Sequence, residues 1–535
     1  MKKHYALTFT IGGVQDYIAA SRKIWDLWSG SFLISYLTSK AIKALLKDSR
    51  CTNTVLVFPD KNNPLIKQQA DEAIFKTSIP NKFLAIAECD ESDIRQVCKD
   101  MEKALRDTYG ELLKKPIKDI PVLNNLPKEE QEKLISQESE WIECYWLARE
   151  ISSEDLGNLN SPETRKKTVA KLQSALGFEL AMLKNYRTVL SRQAEEKETR
   201  EQDKCSLCGK RVALIEDENK NKKHEKLCLN CYAKRKINET IHKHEGISKP
   251  EHLNNLSTRD FTEYYAIYQA DGDSMGDTVK DNPEELSKKL LDFSNAVWQQ
   301  EPMADKNATL IYCGGDDVLY FSDVKSVLDI ACDTNKKFGE IVRLEEKKDT
   351  TLTMSAGIHI SHNKESMALA LENARKAEKM SKDAGKDRFT ISVDKRSGDF
   401  VSWTAKNWKM AAYFKYMANV FRKDDVSTAL YYQLRDELSV FAGDRNAADK
   451  NQPAAISEEQ LRNRIEFILG RRFIGEDNKE AKKQTIQKIL AKENFPLSSK
   501  KDIWDLLDFL EVAAFFARLN GKEKMYPNIT EADIK

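Results

Sequence analysis

Residues Ile311 to Phe321 read IYCGGDDVLYF, two apolar runs meeting at Gly314-Gly315 and followed at once by Asp316 and Asp317. Apolar flanks around a Gly-Gly pair read as two strands joined by a tight turn. Glycines there permit positive φ and leave no side chain in the way, so a triphosphate can approach the backbone. Adjacent aspartates repel each other unless a cation lies between them, and magnesium or manganese with oxygen ligands meets that need. An ordinary hairpin with solvated aspartates is the alternative. Upstream, Tyr264–Gln269 (YYAIYQ) is a strand pattern that ends at Asp271-Gly272-Asp273, with Asp271 45 residues before Asp316. Neighbouring central strands would set Asp271 beside Asp316 and Asp317 as a two-metal site. Such a site activates a 3′-hydroxyl and stabilises charge on an α-phosphate and its leaving pyrophosphate. Alone, the Asp-Gly-Asp pattern equally suits a surface turn; an EF-hand fails because no Glu follows at the required offset.

Outward from this segment the pattern repeats. Around it run a strand from 264, a helix from Pro283 to about Gln299, strands 308–313 and 318–321, a helix over 324–342, a strand over 352–360 and a helix over 364–383. The N-terminal region shows strand His4–Ile11, a long helix from Val14 to about Leu46, strands Thr54–Phe58 and Phe83–Glu88, a helix from Asp90 and a strand at Glu143–Leu147. Both follow the β-α-β-β-α-β order of a ferredoxin-like unit. The chain is therefore expected to be α+β, with palm-like units at 1–160 and 259–400, a charged helical region at 161–258, and a helical bundle at 401–535 with no strand after about Ser397.

Within the charged region, Cys205-Ser-Leu-Cys208 and Cys228-Leu-Asn-Cys231 give C-x2-C-x19-C-x2-C, the spacing of a four-thiolate zinc knuckle. Four thiolates leave no position for water, so the expected role is structural. The other six of the ten cysteines are scattered, which excludes a disulfide framework and points to a reducing cytoplasm. Lys376, Lys379, Lys382 and Lys386 lie on or just after the last helix of the second unit; Lys382 and Lys386 are the candidates to reach phosphates, the rest forming a solvated face. His359 and His362 read as packing residues. A P-loop signature is absent from the sequence. Across 535 residues, 86 Lys and Arg against 85 Asp and Glu give +1, which excludes a polybasic binder and leaves RNA contact to local patches. With no run approaching 18 apolar residues, neither a membrane span nor a membrane partner is expected; the short apolar N-terminal stretch lacks a cleavage site, so no secretory signal is expected either.

Together these motifs resemble the large subunit of type III CRISPR effector complexes, of the Cas-ten or Cmr-two type, and specifically type III-B. IGGVQDYIAASRKIWDLWSGSFLISYL (Ile11–Leu37) is similar to the opening of that family's first palm, the paired CxxC motifs to its zinc insertion, and DGDSMG (Asp271–Gly276) followed by GGDD (Gly314–Asp317) to its catalytic second palm. The resemblance implies two cyclase-like palms and assembly with guide RNA, target RNA and smaller subunits. It implies antiviral defence through a target-activated nucleotidyltransferase that joins ATP through 3′–5′ bonds into cyclic oligoadenylates. Asp271, Asp316 and Asp317 would hold magnesium or manganese; Gly314, Gly315, Ser274, Lys382 and Lys386 would contact ATP. Many members begin with an HD nuclease domain. Here the first palm starts at residue 4 and no His-Asp pair occurs, so DNA cleavage is not expected. A subgroup without that domain joins ATP to S-adenosylmethionine. Asp60 and Glu143 are the carboxylates that would favour its cationic sulfonium and amino group over a second triphosphate; the alternative is ordinary strand-end carboxylates. A silent scaffold and a free-standing diguanylate cyclase are poorer readings. The first leaves the repelling aspartates unexplained; the second leaves the first palm, the knuckle and the helical tail unexplained.

Overall fold

Strand β1 (Lys2–Ile11) sits at the centre of the N-terminal unit and is buried on both faces from Tyr5 onward. Successive side chains of a strand point to opposite faces. Leu7, Phe9 and Ile11 accordingly enter a core with the helices Ile24–Lys47 and Ile94–Asp119, while Ala6 faces the other way. Strands β2 (Thr52–Phe58), β3 (Lys82–Asp90) and β4 (Cys144–Glu150) complete an antiparallel sheet in the order β2-β3-β1-β4. Its second face, with Ala6, Val57, Leu84 and Ile86, is covered by Leu172 and Leu176 of the helix Pro162–Ala194. This computed structural model describes residues 2–67, 77–139, 141–194, 204–218, 224–245, 263–278, 282–299, 308–344, 352–396, 398–421, 428–445, 451–472, 477–519, 526 and 529–534. The expected boundary at 258/259 lies outside the described residues.

Between the two cysteine pairs the chain forms a hairpin, β5 (Ile215–Glu218) with β6 (His224–Leu227), followed by the helix Leu229–Glu245. The expectation of an all-helical 161–258 is corrected here: charge density in this segment masks two short strands closed by the thiolate cluster. The long N-terminal helix expected from Val14 to Leu46 is also corrected. It breaks into Val14–Ala19 and Ile24–Lys47, because Ala20 leaves helical geometry and Arg22 turns out to meet Glu225 and the Ser206 carbonyl.

The second sheet has six strands, β7 (Tyr264–Gly272), β8 (Ala308–Gly314), β9 (Asp317–Ser322), β10 (Met354–His362), β11 (Phe389–Asp394) and β12 (Phe400–Thr404), ordered β12-β11-β10-β7-β9-β8. Its stretch β10-β7-β9-β8 repeats the strand order of the first sheet, one β-α-β-β-α-β unit each. The expectation that no strand follows Ser397 fails: β12 pairs antiparallel with β11 from Thr390↔Thr404 to Asp394↔Phe400. FVSWT is too short to show its alternation, yet it places Trp403 in stacked contact with Phe414 of the helix Met410–Val420.

One face of this sheet (Ala266, Tyr268, Ala270) packs with residues of the helices Pro283–Trp298 and Val327–Ile341, and the same core continues into the C-terminal helices. The opposite face (Tyr265, Ile267, Ile311, Phe321) joins the N-terminal core that holds the Ile24–Lys47 helix. Burying four such side chains contributes roughly 6–12 kcal/mol. The two units thus share one apolar core, and that core fixes β8 and β9 against the first unit.

Candidate active site

Gly314 pairs with Asp317, so the β8–β9 turn is two residues, Gly315 and Asp316. Gly315 adopts φ 73°, the conformation a glycine takes at the first position of such a turn. A Cβ on Gly314 would lie 2.5 Å from the hydroxyl oxygen of Tyr312, which donates to the Gly314 carbonyl at 2.9 Å. Both glycines are therefore required, one for φ and one for space.

The register of β7 on β9 runs from Ala266↔Ser322 to Ala270↔Val318. One step further sets Asp271 opposite Asp317. A Cβ on Gly272 would lie 2.9 Å from Cβ of Asp316. The two acidic motifs are brought together as the sequence predicts. Burial, reinforced by the charge of Asp271, pushes the Asp316 carboxyl up to about 7. Burial and the charges of Asp271 and Asp316 likewise raise Asp317 well above the ordinary carboxylate range. Asp317 is nevertheless exposed to solvent at the start of β9, and Asp316 is half-buried.

Lys382, near the end of the helix Met367–Asp383, pairs with Asp271 and, at 2.8 Å, with Glu378. Burial raises Glu378. Lys386 Nζ donates to Ser274 Oγ at 2.8 Å. Of the nucleotide candidates, Lys382 touches Asp271 directly, while Ser274 and Lys386 meet each other just beyond the end of β7. Burial first, and then mutual repulsion, disfavour the charged form of these carboxyls. Asp273 was not singled out by sequence; it is buried and accepts three hydrogen bonds, from Ser355 Oγ, Thr353 Oγ1 and the Asp387 amide. The signal was the second carboxylate of Asp-Gly-Asp: strand alternation would put it on the same face as the first, but β7 ends at Gly272 and Asp273 turns instead to Thr353, Ser355 and Asp387.

Asp60 lines a small open cleft between the two units, with Phe58, Pro59 and Pro80 on one side and Leu290 and Gly315 on the other. Its Oδ1 accepts from the Asn62 amide at 2.7 Å. Glu143 accepts from the Tyr145 hydroxyl at 2.6 Å, and its carbonyl accepts from the Gly12 amide. The structure does not bring these two carboxylates together: Asp60 follows edge strand β2 and Glu143 precedes the opposite edge strand β4. Three strand spacings, about 14 Å, separate those edges.

The sulfur atoms of Cys205, Cys208, Cys228 and Cys231 all lie within 4.8 Å of one another, with Cys208 and Cys228 at 3.9 Å. Zinc–sulfur bonds of about 2.3 Å in a tetrahedron require sulfurs about 3.8 Å apart, so the four thiols fit that ion. Among the described residues this is the one set of three or more His, Cys, Asp or Glu side chains drawn that close. The knuckle is fastened to the first unit. Arg235 makes a bidentate pair with Asp26 at 2.9 and 3.0 Å and meets Glu225 at 2.7 Å, and Lys234, fully buried, donates to the Tyr17 carbonyl at 2.8 Å. His359, buried on β10, bonds Ser392 Oγ at 2.9 Å. Among the described residues no helix is long and apolar enough to cross a membrane.

Residues 264–390 match the family model "Cas10/Cmr2, second palm domain", and residues 6–114 match "CRISPR-associated protein Cmr2, N-terminal". The chain is 23% identical over 548 residues to a CRISPR system Cmr subunit Cmr2 of Pyrococcus furiosus, covering 74% of this chain and 62% of that relative, less than two thirds of its length. Its fold is similar to that of a chain in the apo type III-B Cmr-beta structure, with TM-score 0.59 and 11% identity over 96% of this chain and 82% of that one. It is also similar to a chain of the Csm1-Csm4 cassette in complex with cA4, with TM-score 0.51 and 12% identity over 96% of this chain and 70% of that one. Over both matched segments, the second of which holds the acidic turn, the chain is similar to the Cas10/Cmr2 family.

Proposed function

We propose that the chain is the large subunit of an RNA-guided type III antiviral complex, and that its 259–400 region is a metal-dependent nucleotidyltransferase making cyclic oligoadenylate from ATP. The observation that carries this reading is the convergence of Asp271, Asp316 and Asp317 beside a glycine turn, with Lys382 on Asp271 and Lys386 on Ser274 just beyond the end of β7. Magnesium or manganese on the three carboxylates would supply charge neutralisation at the reacting phosphate. Gly314 and Gly315 let phosphate oxygens approach the backbone. Lys382, held by Asp271 and Glu378, and Lys386, held by Ser274, neutralise the β- and γ-phosphates. In the reaction an O3′–Pα bond forms, the bond from Pα to pyrophosphate breaks, and the hydroxyl proton leaves to water.

The four thiols hold a structural zinc. The partition is 1–160 as first palm, 161–258 as knuckle region, 259–400 as second palm with its sheet running on to Thr404, and 401–535 as a helical domain. Guide RNA, target RNA and the smaller subunits of the complex are the proposed partners, in the cytoplasm.

A second reading, S-adenosylmethionine as acceptor, rests on Asp60 lying in the cleft that Gly315 closes. A carboxylate there favours a sulfonium over a second triphosphate. Glu143, on the far edge of the sheet, would contribute only to a ligand spanning that end. Mass spectrometry of products from the assembled complex, given manganese, ATP and S-adenosylmethionine with and without target RNA, tests both. Cyclic oligoadenylate formed only with target supports the first; an adenylate–S-adenosylmethionine adduct supports the second; no product from a target-bound complex refutes both.

A further inference from the structure

The loop that follows the Met367–Asp383 helix carries Lys386 in an unusual backbone. Gly385, Lys386 and Asp387 have φ 117°, 65° and 48°, and across from them Ser274 has φ 58°. Three non-glycine residues in the left-handed region within one small patch is uncommon, and such geometry persists only where the surroundings over-determine it. Asp273 is that determinant. Its side chain is buried; Oδ1 accepts from Ser355 Oγ at 2.6 Å, and Oδ2 from Thr353 Oγ1 at 2.7 Å and from the Asp387 amide at 3.0 Å. Its own amide donates to the Thr353 carbonyl at 2.8 Å. One carboxylate thus ties the end of β7, the start of β10 and the 385–387 loop into one piece. All three side-chain donors are neutral, and a buried carboxylate so placed is costly unless its position serves something.

We infer that Asp273 is a positioning residue for the nucleotide: it holds the 385–387 loop so that Lys386 stands on Ser274, just beyond the acidic end of β7, to meet the outer phosphates of an ATP held at Asp271, Asp316 and Asp317. This rests on the nucleotide site proposed above. It also accounts for the second aspartate of Asp271-Gly272-Asp273: the first faces the reacting phosphate, and the second holds the loop that carries a cation to the same ligand.

The test is equilibrium binding of manganese-ATP to the full chain, wild type and three variants: Asp273→Asn, Lys386→Ala and the double. The Asn side chain keeps the size but removes the charge and one of the two acceptor oxygens, so the hold on the Asp387 amide is weakened. Lys386 is exposed, so its replacement does not threaten folding. Each single variant is expected to weaken binding about tenfold, the effect of one lost charge-assisted hydrogen bond. The double variant is expected to be no weaker than either single, because the carboxylate acts through Lys386. In turnover the loss raises KM for ATP, with the manganese requirement kept. Hydrogen exchange at the Asp387 amide, protected in the wild type, speeds up in Asp273→Asn but not in Lys386→Ala. Single effects that multiply in the double variant, or an Asp273→Asn chain with unchanged affinity, overturn the positioning role alone. A wild-type chain that fails to bind manganese-ATP overturns the nucleotide site itself and this inference with it.

Discussion

Replacing Asp316 by Asn should make the metal-free chain more stable at pH 8 while abolishing its chemistry. Burial and the charge of Asp271 push the Asp316 carboxyl up to about 7, from 3.8. A carboxylate whose folded value is raised contributes stability that is fully present below its unfolded value. That stability is lost as pH rises through the window between about 4 and about 7. Three units at about 1.4 kcal/mol each set a ceiling of about 4 kcal/mol on the cost of ionising Asp316 in the folded chain. Asp316 is only half-buried and Asp317 beside it is exposed, so roughly 1–3 kcal/mol is the expected measured effect. Asp316→Asn keeps the shape and removes the titration. Its advantage over the wild type should be near zero at pH 4, grow to pH 7 and stay flat above. In a calorimetric scan at pH 8 that is an upward shift of several degrees for the transition that contains the second sheet. Manganese at a hundred times its dissociation constant returns about 2.7 kcal/mol to the wild type only, and so reverses or closes the gap. The reasoning is refuted if Asp316→Asn is the less stable chain at pH 8 without metal, or if its offset from wild type is the same at pH 4 and pH 8.

Asp316→Ala with Asp317→Ala should eliminate product formation while leaving target-RNA binding by the assembled complex intact, read by mass spectrometry and gel shift in parallel. Gly315→Ala forces an L-residue to φ 73° and should cost about 1–2 kcal/mol at the turn, with a loss of ATP affinity in the same binding assay. Cys205→Ser with Cys208→Ser should remove one equivalent of zinc by atomic absorption and lower the melting temperature by roughly 5 °C or more; an unchanged melting temperature in a zinc-free chain would rule out the structural role. Arg235→Ala leaves Asp26 buried without its guanidinium and Glu225 with Arg22 alone, a loss of about 3–5 kcal/mol that denaturant unfolding should register.

The acidic turn was legible because its chemistry is local. Two glycines and two aspartates in sequence dictate a hairpin, and one strand register then carries Asp271 to them. The same holds for the knuckle, where spacing alone brings four sulfurs into one tetrahedron. What stayed hidden depends on tertiary partners. Arg22 reads as one more charge on a helix until Glu225 and the Ser206 carbonyl, some 200 residues away, pull it out and break that helix. Strand β12 has five residues and no clear alternation, and it exists because β11 offers it a ladder. Asp60 and Glu143 look equivalent in sequence, as strand-end carboxylates of one unit. Only the order β2-β3-β1-β4 sends them to opposite edges and leaves Asp60 alone beside Gly315.

The knuckle and the acidic turn lie far apart in sequence, yet one helix separates them. Cys228 and Cys231 flank the start of the Leu229–Glu245 helix, whose Lys234 and Arg235 fasten to Tyr17, Asp26 and Glu225. Asp26 belongs to the Ile24–Lys47 helix, and the core that holds this helix includes Ile311 of β8 and Phe321 of β9, the two strands that present Gly315 and Asp316. A thiolate cluster with no open coordination position performs no chemistry of its own. Its effect on the reaction must therefore pass through this packing, as rigidity of the helix on which β8 rests. Losing the zinc should loosen the seat of the turn, where Gly315 meets Pro80 of the first unit, before it disturbs the carboxylates themselves.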